Sequence, residues 1–76
     1  MAEQSLDARG LSCPLPILRA RRALKAMAEG DILCVRATDP GAVKDFEAFC
    51  RATGNTLVQS DAPDGVFRFR IRARGG

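Results

Sequence analysis

The 76-residue chain contains no histidine, no tryptophan and no tyrosine. A haem held by an imidazole is therefore excluded, and so is an imidazole general base. Cysteines stand at positions 13, 34 and 50, an odd number with no CxxC pair. They make no disulfide framework, and with histidine missing they make no zinc site. The expectation is a chain without metal or cofactor. No stretch is long and apolar enough to span a membrane. Met1-Ala2-Glu3-Gln4 carries neither the basic nor the apolar region of a signal peptide. A cytoplasmic chain with reduced thiols is expected. Long polar tracts and internal repeats are missing too. An apolar fraction of 46% excludes a disordered chain and fits one small domain over residues 1–76.

What is present is concentrated in one stretch, Leu11-Ser12-Cys13-Pro14-Leu15-Pro16-Ile17-Leu18. Proline suits a first helical turn, where the amide it lacks would have no intrahelical partner. Pro14 reads as the first helical residue and Pro16 as lying within the first turn. Cys13 then stands at or just before the N-cap, over free amides and the positive end of the helix dipole. Leu15 and Ile17 would supply the free amides. Such a position can draw a cysteine pKa from about 8.5 down to roughly 3.5–7.5. Cys13 is the candidate reactive sulfur. The alternative is a small apolar cap preceding two prolines.

The remaining elements follow from periodicity. Ser5–Arg9 alternates and reads as a short strand, closed by Gly10. Pro14 to about Ala28 reads as a helix, with Ile17, Ala20, Leu24 and Met27 facing inward and Leu18 and Ala28 widening that face. Arg19, Arg22 and Lys25 fall outside, and Gly30 is the expected left-handed stop. Ile32–Ala37 is a second strand. Leu33, Val35 and Ala37 share one face, Ile32, Cys34 and Arg36 the other. Asp39-Pro40 should open a second helix, with Asp39 as its N-cap. Its inner face is Val43, Phe46, Phe49 and Cys50, and Gly54-Asn55 ends it. Thr56–Ser60 is a third strand, and Asp61–Gly65 a turn cluster. Val66–Ala73 is a last strand with Phe67, Phe69, Ile71 and Ala73 opposite Arg68, Arg70, Arg72 and Arg74. The order β-α-β-α-β-β implies right-handed crossovers and both helices on one side of the sheet. The expected fold class is an α/β chain of the α+β two-layer sandwich type with an open sheet face. Cys34 and Cys50 read as structural.

Several of these stretches together resemble the TusA/SirA-like sulfur carrier proteins. They are Leu6-Asp7-Ala8-Arg9-Gly10-Leu11 leading into Cys13-Pro14-Leu15-Pro16, Gly30-Asp31, Asp39-Pro40, Phe49-Cys50 and the arginine-rich last strand ending in Gly75-Gly76. The resemblance covers nearly the whole chain. It implies a four-stranded mixed sheet in order 1-2-4-3. It also implies that Cys13 accepts a sulfane sulfur as a persulfide and relays it to an acceptor protein. The donor would be a cysteine desulfurase or a rhodanese. The pathway could be tRNA thiolation, molybdenum-cofactor maturation, selenium handling or sulfur oxidation. Arg9, Arg19, Arg22 and Asp39 are candidate docking residues around a monomeric carrier.

Rival readings have their own residues. The net charge of +3 and the arginine face of the last strand fit an RNA-binding module. The final-strand phenylalanines alternate inward, however, so direct nucleic-acid binding lacks a stacking platform. Gly75-Gly76 could carry a C-terminal thiocarboxylate, although the element order differs from a β-grasp layout. A peroxide sensor at Cys13 would need a resolving cysteine, and none is close in sequence.

Overall fold

The computed structural model describes residues 2–75. Its elements are β1 (Glu3–Ala8), α1 (Leu15–Lys25), β2 (Ile32–Ala37), α2 (Ala42–Thr53), β3 (Thr56–Asp61), a 3₁₀ turn (Pro63–Gly65) and β4 (Phe67–Arg72). They form one four-stranded sheet in the order β1-β2-β4-β3. β1 and β2 run parallel, and β4 is antiparallel to both of its neighbours. The parallel pair needs a crossover, which α1 provides. The β-α-β-α-β-β order is the one periodicity predicts, and the strand order and mixed sheet are those the family resemblance implies.

One face of the sheet is dry. Ala8, Leu33, Val35, Ala37, Phe69 and Ile71 meet Ala20 and Leu24 of α1 and Ala42, Phe46 and Cys50 of α2, with Met27 and Ala73 closing the core. Phe46 stacks on Phe69 with ring centroids 4.5 Å apart, and Phe49 meets Phe46 edge-on at 6.4 Å. Alanines at 8, 20, 37 and 42 are almost fully buried, so both helices lie close on the sheet at the end where β1 and β2 finish. The last strand alternates as its sequence demands.

Boundaries differ from expectation where local polar groups intervene. α1 stops at Lys25, and the Ala26 and Met27 amides close onto Ala23 and Leu24 in a tighter turn. Gly30 does take positive φ, but it serves the turn into β2 and donates to Ala73 O. Leu18 and Ala28, assigned to the core by periodicity, are exposed, because the true inward stripe runs through Pro16, Ala20 and Leu24. Pro40 is not a helical residue, and Asp39 is not the N-cap. Gly41 caps α2, and the Asp39 carboxylate instead accepts from the Gly41 amide at 3.1 Å. The Gly75-Gly76 reading falls partly outside the described residues.

β3 contains a bulge that periodicity did not reveal. Leu57 pairs with Ile71 but Gln59 with Arg70, which leaves Val58 extra and exposed. One inserted residue reverses the alternation beyond it. Gln59 and Asp61 are thereby placed on the open sheet face opposite Arg70 and Arg68.

Phe46 is the largest side chain with no solvent contact. Phe46→Ala should cost about 3–5 kcal/mol. That is a large part of the roughly 5–15 kcal/mol that holds a domain folded. Urea denaturation should show a transition moved far toward zero denaturant. A midpoint within a few tenths molar of wild type would contradict this core.

Candidate functional site

The site begins at the end of β1. Gly10 turns the chain with φ of +78°, a value an L side chain resists. Its amide donates to Thr38 Oγ1 at 2.9 Å, which ties this turn to the loop following β2. The next residues lead to Cys13 and into α1. Pro14 sits at the N-cap rather than inside the helix, and the Cys13–Pro14 peptide is cis. Cys13 is exposed, one residue ahead of the cap.

The amides at this helix end are scarcer than the sequence suggests. The Leu15 amide, expected to be free, donates to Ser12 O at 2.9 Å, and the Leu18 amide donates to Pro14 O at 3.1 Å. Pro16 has none to give. Ile17 is left with the unpaired amide of the first turn among the described residues. Opposing it are two carboxylates from α2 and its lead-in. The Oδ2 atoms of Asp39 and Asp45 lie 3.2 and 3.7 Å from the point where a side chain on Gly41 would begin. The pull of the Asp45 carboxylate on the thiol proton comes first, then desolvation, then the charges of Asp45 and Asp39, and together they raise the Cys13 thiol pKa above its ordinary value. The expectation of a depressed cysteine pKa is thus overturned. A carboxylate that accepts from the thiol and repels the thiolate outweighs one unpaired amide on an exposed turn.

The other candidate residues separate into groups. Asp39 is near Cys13, and its carboxylate is shared with the Gly41 amide. Arg9 folds back on Asp7 through two bonds of 2.9 Å, which holds the Asp7 carboxyl well below the usual carboxylate range. Its guanidinium is committed at home. Arg19 and Arg22 line a groove of about 660 Å³ beside α1, together with Leu6, Leu18 and Ala23. Leu15 and Leu18 add apolar area, 43% and 50% exposed, on the helix that starts at Cys13. Sequence reasoning missed Asp45 and the exposure of Leu18. The Leu15, Leu18, Arg22 spacing of three and four was the available signal for a second, outward stripe. Among the described residues, no group of three His, Cys, Asp or Glu converges as a metal site.

A two-layer α+β domain with an exposed cysteine before a proline-bearing helix is the class of protein that fold and site together define. The family model described as Sulfurtransferase TusA matches residues 4–73. The chain belongs to the TusA family. It is 57% identical over 70 residues to the Sulfur carrier protein TusA of Allochromatium vinosum, covering 92% of each chain. It is 58% identical over 72 residues to a putative sulfur carrier protein of Neisseria meningitidis serogroup A, covering 95% of this chain and 97% of that one. In fold it matches the crystal structure of a SirA-like protein from Desulfitobacterium hafniense. That match has a TM-score of 0.80 and 24% identity, and it covers 92% of this chain and 96% of that one. No helix among the described residues is long and apolar enough to cross a membrane.

The other two cysteines differ from Cys13 and from each other. Cys50 lies in the core, and burial pushes its thiol up to about 11. Cys34 is half-buried on the open sheet face and donates to Glu3 Oε1 at 3.8 Å. Its setting is richer than the sequence suggested, since Arg70 stands directly opposite it across the sheet. At pH 8, Cys50 should be alkylated by iodoacetamide at least about a hundredfold more slowly than an ordinary thiol, from its thiolate fraction alone. Peptide mapping after timed alkylation checks this. Cys50 modified as fast as Cys13 in native protein would place it outside the core.

Proposed function

We propose that this chain is a sulfur carrier whose Cys13 accepts a sulfane sulfur and relays it as a persulfide. The observation that supports it most is the exposure of Cys13 at the start of α1, with the family match across residues 4–73 supplying the chemistry. In loading, the Cys13 sulfur attacks the terminal sulfur of a donor persulfide. A sulfur–sulfur bond forms to Cys13, and the donor cysteine leaves as a thiolate. In delivery, an acceptor thiolate attacks that terminal sulfur and Cys13 departs. Neither step consumes an oxidant, a metal or an organic cofactor.

The raised pKa makes ionisation an event of the encounter. In the free chain Asp45 and Asp39 favour the thiol. A donor that brings a cationic group against these carboxylates removes the repulsion and releases the nucleophile where it is needed. The apolar stripe of Leu15 and Leu18, edged by Arg19 and Arg22, then offers a docking surface for an apolar patch rimmed with acid. The donor is a cysteine desulfurase or rhodanese, the recipient a protein of tRNA thiolation, molybdenum-cofactor or sulfur metabolism. The carrier works as a monomer in the cytoplasm. The RNA-binding reading is not favoured. Phe46 and Phe69 are buried and Phe49 and Phe67 pack against the core, so none of the four is left as a platform on which bases could stack.

Cys13→Ser should abolish sulfur loading by a cysteine desulfurase, measured by intact mass as the gain of one sulfur atom. Cys34→Ser and Cys50→Ser should load as wild type does. Undiminished loading of Cys13→Ser would overturn the assignment.

A further inference from the structure

The sheet face turned away from the helices holds a second arrangement. Ser5, Cys34, Arg70 and Gln59 form a row across all four strands. The adjacent row is Asp7, Arg36, Arg68 and Asp61. Between the rows lies a groove of about 320 Å³, lined by Cys34, Arg36, Arg68, Arg70 and Gln59 among others. That volume is at the lower bound for small-molecule sites, about 300–1,000 Å³.

Charge is unevenly satisfied there. Arg68 is held by Asp61 through two bonds of 2.9 and 2.8 Å. Arg70 makes one longer contact, 3.3 Å, to Glu3. Arg36 has no ion pair among the described residues. Each guanidinium carries five donors in a planar fork suited to oxyanions. Arg36 and Arg70 therefore keep most of their donors for a ligand. Cys34 lines the groove with its one thiol.

We propose that this groove binds a small sulfane-sulfur dianion of the thiosulfate class, and that Cys34 takes up its outer sulfur. The carrier then has a second loading position that needs no donor protein. The choice of ligand rests on the sulfur-carrier reading; the anion site itself does not. The groove is small and its unsatisfied groups are cationic, which selects a compact dianion. A thiol can accept a sulfane sulfur without any oxidant. The Cys34 sulfur donates its electron pair to the outer sulfur. The bond from that sulfur to the sulfonyl group breaks, and its pair leaves with sulfite. The thiol proton passes to the Glu3 carboxylate and from there to the departing sulfite. Thiol plus thiosulfate gives persulfide anion plus hydrogen sulfite, with atoms, charge and electrons balanced. Arg36 and Arg70 hold the oxyanion throughout.

The test uses the full chain carrying Cys13→Ser, incubated with thiosulfate and mapped by peptide mass spectrometry. One sulfur should appear on the Cys34 peptide and should be lost when Cys34→Ser is added. Arg36→Ala with Arg70→Ala in the Cys13→Ser chain should slow this loading about tenfold or more, because two charge-assisted contacts are removed. Circular dichroism confirms that these surface variants fold. Binding is read separately in Cys34→Ser protein by amide chemical shifts under thiosulfate titration. Saturable shifts centred on Ser5, Arg36 and Arg70, weakened by added chloride, are expected. No sulfur on Cys34, loading indifferent to the two arginines, or shifts that never saturate would each overturn the proposal. Loading of Cys13 by a desulfurase without loading of Cys34 by thiosulfate refutes this proposal alone. The reverse pattern refutes the Cys13 reading alone.

Discussion

Parallel pairing of β1 with β2 is the constraint on which the site depends. Parallel neighbours finish at the same end of a sheet, so the segments that follow them emerge side by side. Here those segments are the Cys13 turn and the Asp39 turn, joined by the bond from the Gly10 amide to Thr38 Oγ1. Each leads into a helix, and both helices start at this end. The cysteine that precedes α1 therefore meets the carboxylates that precede and begin α2. The tight packing of Ala8, Ala20, Ala37 and Ala42 beneath them fixes how closely the two helix starts approach.

The electrostatics of that meeting set the chemistry. A helix start offers unpaired amides, but here proline and Ser12 remove all but one of those in the first turn. Asp45 and Asp39 act in the opposite sense and prevail. The resting sulfur is then a thiol, accessible but not fully activated. This suits a carrier that must not react with every electrophile it meets and must exchange sulfur with chosen proteins. The open sheet face is organised by different means. The bulge at Val58 turns Gln59 and Asp61 toward the arginines of β4, and among the described residues Arg36 and Arg72 are the arginines of this face left without an ion pair.

The sequence carried the fold because each element announces itself locally. The 3.6-residue stripe through Ala20 and Leu24, the alternation of Phe67 to Ala73 and the Gly and Pro punctuation were sufficient for element order. The position of Cys13 was equally legible, since proline at the helix start has few other uses. What escaped was set by tertiary contact. Asp45 lies more than thirty residues from Cys13 in sequence, on the other helix, and no local pattern marks it as acting on the thiol. Leu18 seemed a core residue because an apolar side chain at helical spacing does not reveal which of two adjacent stripes is buried. Asp39-Pro40 is a strong helix-start signal, yet Asp39 spent its carboxylate on the Gly41 amide and moved the true start to Ala42. A one-residue bulge leaves no mark in a strand as short as β3.

The most direct test of this account is a nuclear magnetic resonance titration of the Cys13 Cβ, in wild type and in Asp45→Asn. The account predicts a midpoint above that of an ordinary thiol in the free wild-type chain, moving down when Asp45 loses its charge. A wild-type midpoint below the ordinary value, unmoved by Asp45→Asn, would contradict it.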